Sequence, residues 1–188
     1  MSKKALLLLA AGAEEMEAVI TIDVLRRAGV AVTVAGLHGP EPVKCSRGVT
    51  LVPDEALEAA AKGGPYDAVV LPGGLEGARS LCKSDLVKTV LKEQEAAGRL
   101  IAAICAAPTA LKAHGVCTGR ALTSYPNFKE ELLEGGQYIY VEDRVAIDGN
   151  LVTSRGPGTA LEFALALVGQ LCGPEQQAKT GAPLLLPA

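Results

Sequence analysis

The sequence is poor in the residues from which metal sites and disulfide frameworks are built. It contains only two histidines, His38 and His114, and an odd number of cysteines, five. The cysteines are widely spaced with no Cys-x-x-Cys pair, so they predict neither a disulfide framework nor a zinc site. We therefore expect no metal, and thiols that stay reduced in a reducing compartment.

The chain also lacks a long apolar run, a basic stripe and a phosphate loop. No stretch approaches the roughly 20 apolar residues that span a bilayer. The net charge is −3, and no basic stripe accompanies it, which argues against nucleic-acid binding as the main task. The glycine-rich stretch "PGGLEGA" lacks the Gly-Lys-Ser/Thr ending and does not match a dinucleotide fingerprint. These absences predict a protein without a cofactor, a membrane span or specific nucleic-acid binding.

The first apolar segment superficially resembles a signal peptide. It is short, however, and three glutamates (Glu14, Glu15 and Glu17) follow at once. A buried first strand is the better interpretation. A cytoplasmic protein is the resulting expectation, with nucleus and mitochondrion as further compartments if the source is eukaryotic.

What the sequence does contain is an alternation of strand-like and helix-like segments. The predicted buried strands are Ala5–Ala10, Val30–Gly36, Asp67–Gly74, Leu100–Ile104 and Asn150–Ser154. The predicted longer helices are Glu15–Ala28, a helix capped by Ser84 that runs to Ala97, a helix after Cys105 that runs to His114, and Thr159–Leu171. Continuous apolar strands alternating with helices predict an α/β sandwich, one domain over residues 1–188, with a mostly parallel central sheet covered on both faces.

Four loops would follow the carboxyl ends of parallel strands. They are Ala11–Glu17, Pro72–Gly77, Cys105–Pro108 and Arg155–Gly158. Ligand sites of open α/β sheets lie at this edge, so residues that are distant in sequence are expected to meet there.

Cys105 lies where the strand "LIAAI" must turn directly into a helix. Ala106 and Ala107 are small, and Pro108 suits a first helical turn. Such an elbow pushes its side chain outward, and the nearby helix N-terminus is expected to lower the pKa of the thiol. Cysteine is also a small apolar residue that fills a crowded turn. The local sequence leaves both interpretations open.

Other residues at this edge are open to two interpretations as well. The N–H groups of Gly73 and Gly74 would stabilise an oxyanion together with that of Ala106, or would simply belong to an ordinary turn. One glutamate of the cluster Glu14, Glu15 and Glu17 would hydrogen-bond Cys105, or the three carboxylates would only stabilise the helix N-terminus through its dipole. The spacing does not show which glutamate would face Cys105. Arg155, with the "GPGT" that contains Pro157, would bind an anion or cap the fold.

Six segments together resemble the ThiJ/PfpI superfamily, and more specifically its parkinsonism-associated "DJ-one" branch, also called protein deglycase. These segments are "AAGAEEMEAV", "VTVAGL", "VKCSRGV", "VVLPGG", "LIAAICAAPTAL" and "TSRGPGT". They occur in the family's order from about Lys4 to the tail. The resemblance implies a flavodoxin-like sandwich and a homodimer.

The resemblance also implies roles for particular residues. It makes Cys105 the reactive, oxidisable nucleophile, Glu17 its carboxyl partner, and Gly74 and Ala106 the oxyanion donors. Members are described as glyoxalases that need no glutathione, deglycases acting on glycated proteins and nucleotides, and redox-sensitive chaperones. The expected partners are therefore small aldehydes and glycated proteins or nucleotides; a redox sensor or chaperone without essential turnover is the alternative.

The sequence departs from the family at two positions. Proteolytic relatives carry a histidine directly after the cysteine, where this chain has Ala106, so peptidase activity is not expected. Vertebrate members of the branch carry a histidine in the segment that here reads "TSYP", where this chain has Tyr125. Tyr125 is expected to donate a hydrogen bond in the pocket, because a phenol is a poor base near neutral pH.

Overall fold

A seven-stranded sheet forms the centre of the computed structural model, which describes residues 2–186. In chain order the strands of this sheet are β1 (Lys4–Leu9), β2 (Ala31–Gly36), β5 (Glu55–Ala56), β6 (Ala68–Leu71), β7 (Leu100–Ile104), β10 (Val145–Asp148) and β11 (Leu151–Ser154). Their spatial order is β10-β11-β7-β6-β1-β2-β5. All neighbouring pairs are parallel except β10 and β11. The mostly parallel sheet is therefore confirmed.

Two small sheets stand apart from the central one. One is the antiparallel hairpin of β3 (Val43–Lys44) and β4 (Thr50–Leu51), and the other pairs β8 (Ala121–Leu122) with β9 (Ile139–Tyr140) in parallel. The hairpin lies between β2 and β5 in the chain and therefore interrupts the alternation of strands and helices.

Helices cover both faces of the central sheet. They are α1 (Glu15–Arg27), α2 (Leu57–Lys62), α3 (Leu75–Lys83), α4 (Asp85–Ala96), α5 (Pro108–His114), α6 (Lys129–Leu133), α7 (Ala160–Cys172) and α8 (Pro174–Gly181). Short 3₁₀ turns lie at Pro126–Phe128, Pro157–Thr159 and Ala182–Leu184. The sequence did not indicate α3, α6 or α8, because each is short and packs through only a few apolar residues.

Alternate residues of each strand supply two separate cores. Leu7 and Leu9 of β1 face the side of α1 and α7, whereas Leu6 and Leu8 face the side of α2 to α5. Both sides are apolar because helices exclude water from each face, and this explains why the strand reads as an unbroken leucine run. The three-layer arrangement follows directly from that pattern.

Local capping fixes the helix ends as the sequence indicates. Ser84 accepts a hydrogen bond from the N–H of Val87 and so caps α4. Helix α1 ends at Arg27, with Ala28 as its C-cap and Gly29, whose φ is +82°, directly after it. In the tail, Leu184 and Leu186 pack against the α1–α7 core, whereas Leu185 is 88% exposed. These two leucines of the apolar tail thus contact the body of the molecule; Pro187 lies outside the described residues.

Phe163 is the largest fully buried side chain and lies in α7 on the α1 face of the sheet. We expect Phe163→Ala to lower the free energy of unfolding by about 3–5 kcal/mol, because it leaves a cavity in a close-packed core. Urea denaturation measures the change. Leu185→Ala is the control, since removing an exposed side chain should change stability by less than about 0.5 kcal/mol. Equal effects of the two substitutions would contradict the packing described.

Candidate active site

The four loops singled out in the sequence do meet at one edge of the sheet, because β1, β6, β7 and β11 run parallel and are adjacent. A cavity of about 880 Å³ opens at this edge. Glu14, Gly74, Cys105, Ala106 and Pro157 line it, so each of the four loops contributes to its wall.

Cys105 lies at a strained elbow between β7 and α5. Its φ is 64°, a left-handed conformation that costs a residue with a side chain about 1–3 kcal/mol. Its N–H donates to the Ser154 carbonyl (3.0 Å), which continues the sheet, and its own carbonyl accepts from the Tyr125 N–H (2.9 Å). The backbone is therefore held on both sides, while the half-buried side chain reaches the cavity.

Glu17 is fully buried in the first turn of α1 and lies against this elbow. Its Oε2 accepts a hydrogen bond from the Gly73 N–H at 2.7 Å, whereas its buried Oε1 makes no hydrogen bond within residues 2–186. Burial raises the pKa of Glu17 to about 7, although the Gly73 N–H and the Cys105 thiol act in the opposite direction. This carboxyl therefore carries a proton over part of the neutral range.

The pKa of Cys105 differs from the expectation drawn from the helix N-terminus. Burial and the negative charge of Glu17 raise the pKa of the thiol to about 12, and the N–H groups of Gly74 and Ala106, which hydrogen-bond the sulfur, only partly oppose this. The prediction that the helix N-terminus lowers the pKa of the Cys105 thiol is thus wrong while Glu17 is ionised. Because the Glu17 charge is a main cause, a proton on Glu17 removes that repulsion from the thiolate.

Gly73 is the residue that lets Glu17 and Cys105 approach each other. A Cβ at this position would lie 2.6 Å from the Cys105 Cβ and 2.7 Å from Glu17 Oε2, distances too short for any side chain. Gly74 has a φ of +85° and packs on the Gly12 and Glu14 backbone. Both glycines of the pair are therefore required by the geometry, one by space and one by conformation.

The other two glutamates of the cluster hold a different element. Glu15 accepts from the N–H groups of Arg47 and Val49. The Ser46 hydroxyl lies 2.7 Å from a Glu14 carboxylate oxygen and 2.9 Å from a Glu15 one, so its single proton is shared between the two. These hydrogen bonds hold the β3–β4 hairpin against the start of α1. As a result, Ser46 and Arg47 line the cavity. The sequence did not indicate these lining residues, because only the fold brings the hairpin there.

The remaining predicted residues are divided between the cavity and its surroundings. Tyr125 and Pro157 line the cavity, together with Asn127 and Phe128, which the sequence did not indicate. Arg155 is engaged elsewhere, since it donates to the carboxylate and the carbonyl of Glu142 at 2.6 and 2.9 Å. Arg155 was expected either to bind an anion or to cap the fold, and this ion pair favours the structural role.

The chain belongs to the DJ-1/PfpI family, whose model matches residues 3–170. A relative from Danio rerio named Parkinson disease protein 7 homolog is 59% identical over 98% of this chain and 97% of its own length. A Caenorhabditis elegans relative named glutathione-independent glyoxalase DJR-1.2 is 44% identical over 98% of this chain and 97% of its own. The crystal structure of Drosophila melanogaster DJ-1beta superposes with a TM-score of 0.96 at 54% identity, covering both chains fully. The flavodoxin-like fold implied by the resemblance is thus confirmed.

Within residues 2–186, no helix is long and apolar enough to cross a membrane.

The raised pKa of Glu17 makes stability depend on pH in a defined direction. Between pH 4.5 and 7 the folded protein keeps a proton that the unfolded chain releases, so this group's contribution to the free energy of unfolding falls as pH rises. The shift from 4.5 to about 7 corresponds to about 3 kcal/mol. The free energy of unfolding of wild type minus that of Glu17→Gln should therefore decrease by about this amount between pH 4 and 8. Urea denaturation at each pH measures both values.

Glu175→Gln, a change at an exposed carboxyl, is the matched control for this comparison. A wild-type-minus-variant difference for Glu17→Gln that stays flat or increases with pH would contradict the burial described for Glu17.

Proposed function

We propose that this protein converts small reactive dicarbonyls, methylglyoxal and glyoxal, into lactate and glycolate through covalent chemistry at Cys105. The observation that carries the proposal is the pairing of the Cys105 thiol with a buried carboxyl whose pKa is about 7, beside two backbone N–H groups at an open cavity. The relative named as a glutathione-independent glyoxalase supports the same reaction class.

The first step is addition of the Cys105 sulfur to the aldehyde carbon. A carbon–sulfur bond forms, the carbonyl double bond becomes an oxyanion, and the proton of the thiol ends on that oxygen as a hemithioacetal. The N–H groups of Gly74 and Ala106 would stabilise the negative charge that develops on the oxygen, since both already face the sulfur. Neither group has to reorganise for the reaction.

The second step is proton transfer by Glu17. The ionised carboxyl takes the proton from the former aldehyde carbon, giving an enediol, and returns it to the neighbouring carbon, which leaves a thioester on Cys105. A water molecule then cleaves the carbon–sulfur bond and releases the hydroxy acid. A pKa of about 7 suits a group that must both accept and donate near neutral pH.

The cavity supports a wider substrate range than these two aldehydes. Its volume of about 880 Å³ exceeds what a three-carbon molecule fills. An aldehyde already added to a protein amine, a thiol or a nucleotide would present the same carbon to Cys105, so we extend the proposal to repair of early glycation adducts. Ala106 stands where a peptidase would need histidine, and Tyr125 contributes a hydroxyl rather than an imidazole to the pocket.

Oxidation of Cys105 is a second candidate role, and the same groups favour it. A protonated Glu17 and the N–H groups of Gly74 and Ala106 would donate hydrogen bonds to the oxygens of a sulfinate. The thiol is within reach of peroxide through the open cavity. A role in oxidative-stress protection would therefore coexist with turnover at the same residue.

Methylglyoxal conversion tests the covalent scheme directly. We expect Cys105→Ala to reduce turnover to the rate in buffer and Glu17→Gln to reduce it about a hundredfold or more, since it removes the proton-transfer group. Lactate formation is measured, with Cys172→Ala as the control because that thiol lies outside the cavity lining. Full activity in Cys105→Ala would refute the proposal; adding amine scavengers to the assay separates direct adduct repair from removal of free aldehyde.

We further propose that the chain forms a homodimer through α1 and the β3–β4 hairpin. Large apolar side chains are exposed to solvent on these two elements and directly after the hairpin: Met16 (53% exposed), Val19, Val49 and Val52 (68% exposed). Glu15 bonds the Val49 N–H and so holds the hairpin against the start of α1, which makes the two sets one surface. An apolar surface of this kind is typical of an interface.

Charge substitutions on this surface test the dimer. We expect a particle of twice the 19.3 kDa chain mass for wild type, and dissociation to monomers for Met16→Glu or Val49→Glu, because a buried unpaired charge opposes association. Light scattering after size exclusion measures the mass. Ile147→Glu, at a half-exposed apolar residue of the edge strand β10, is the control and should leave the mass unchanged. A monomeric wild type would refute the proposal.

A further inference from the structure

The outer wall of the Cys105 cavity is built by segments that do not belong to the central sheet. Tyr125, Asn127 and Phe128 follow the two-residue strand β8, and Pro157 lies in the loop after β11. The Tyr125 N–H bonds the Cys105 carbonyl, which anchors the beginning of the first segment. Beyond that point, the position of this wall depends on contacts other than the strand ladder.

Glu142 joins the two sides of this wall. One carboxylate oxygen accepts from Lys129 Nζ at 2.6 Å, and Lys129 begins α6 directly after Phe128. The other oxygen accepts from Arg155 Nη1, also at 2.6 Å, and the Glu142 carbonyl accepts from the same nitrogen at 2.9 Å. One carboxylate thus bridges a cation on each side of the cavity wall, and both cations lower its pKa.

Tyr140, two residues before Glu142, reinforces the same connection. Its hydroxyl lies 3.1 Å from the Ser124 hydroxyl, and the Lys129 ammonium lies over its ring at 5.4 Å from the centroid. Across the cavity wall, a Cβ on Gly156 would lie 3.5 Å from Cδ2 of Tyr125, so the tyrosine ring rests against the Gly156 backbone. The segment that contains Tyr125 and the segment that contains Gly156 are therefore in contact, and Glu142 forms an ion pair with each of these two segments.

We propose that Glu142 is a positioning residue that fixes the outer wall of the cavity and thereby determines how tightly carbonyl substrates bind near Cys105. It acts through Lys129 and Arg155 and does not touch the thiol. The side chains of Glu142 and Lys129 are 58% and 41% exposed, so their ion pair is screened by salt. The statement about substrates rests on the function proposed above; the statement about the wall does not.

Glu142→Gln tests the wall without any reaction. It keeps the side-chain shape and removes the charge. We therefore expect hydrogen exchange in peptides covering 121–135 and 151–160 to accelerate about three- to tenfold, the size that two partly exposed ion pairs allow. Asp143→Asn is the matched control: it makes the same change in net charge at the next residue, which is exposed and forms no ion pair within the described chain. Lys129→Gln, which breaks one of the two pairs, should give an intermediate acceleration.

Wild type in 1 M sodium chloride provides a measurement that needs no substitution. Salt should accelerate exchange in the same two regions and should have little further effect on Glu142→Gln. Unchanged exchange in the variant, or equal acceleration in Asp143→Asn, would overturn the proposal.

Methylglyoxal kinetics test the consequence for substrate binding. We expect Glu142→Gln to raise KM about three- to tenfold with kcat within about twofold, because the wall positions substrate and the reacting groups stay in place. A fall in kcat at unchanged KM would overturn the assigned role. If wild type does not convert methylglyoxal, the proposed function fails, while the exchange experiment still decides whether Glu142 holds the wall.

Discussion

The contact between the Glu17 carboxyl and the Cys105 elbow is the constraint on which the rest of the site depends. It requires α1, the loop after β6 and the loop after β7 to converge within hydrogen-bonding distance, and only adjacent parallel strands bring those three elements to one edge. Gly73 stands between them because a Cβ there would lie 2.6 Å from the Cys105 Cβ. The sheet order and the glycine are therefore two consequences of one requirement.

This contact is unfavourable for stability, and the two apolar cores must offset it. The buried Glu17 carboxyl has a raised pKa and, among residues 2–186, no hydrogen-bond partner on one oxygen, and the Cys105 backbone has a positive φ. Each costs on the order of a few kcal/mol. The rigid leucine-rich strand β1 and the tightly packed α7 hold the geometry, because neither face of the sheet can yield without opening a cavity. The two packed cores thus sustain the backbone strain at Cys105 and the cost of burying Glu17 at the edge of the sheet.

The sequence predicted the sheet, the elbow and the shared edge, because these follow from local apolar patterns and small residues around Cys105. Glu17 was selected among three glutamates only by family resemblance, since all three lie at the same helix start. Asn127, Phe128 and Arg47 were missed because their place in the cavity depends on how a hairpin and a short 3₁₀ turn fold back. The direction of the Cys105 pKa was wrong because the helix N-terminus is a smaller influence than burial and a neighbouring charge.

The site divides into a fixed reacting centre and a more adjustable wall. Cys105, Glu17, Gly74 and Ala106 are held by buried elements of the sandwich, so under the proposed mechanism a change at any of them would alter the chemistry itself. Tyr125 and Pro157 belong to segments joined by the ion pairs of Glu142, so we expect a change there to alter what fits beside the thiol. Tyr125, where the family resemblance implies a histidine in vertebrate members, is then compatible with an intact nucleophile, because we assign its part of the site to substrate binding.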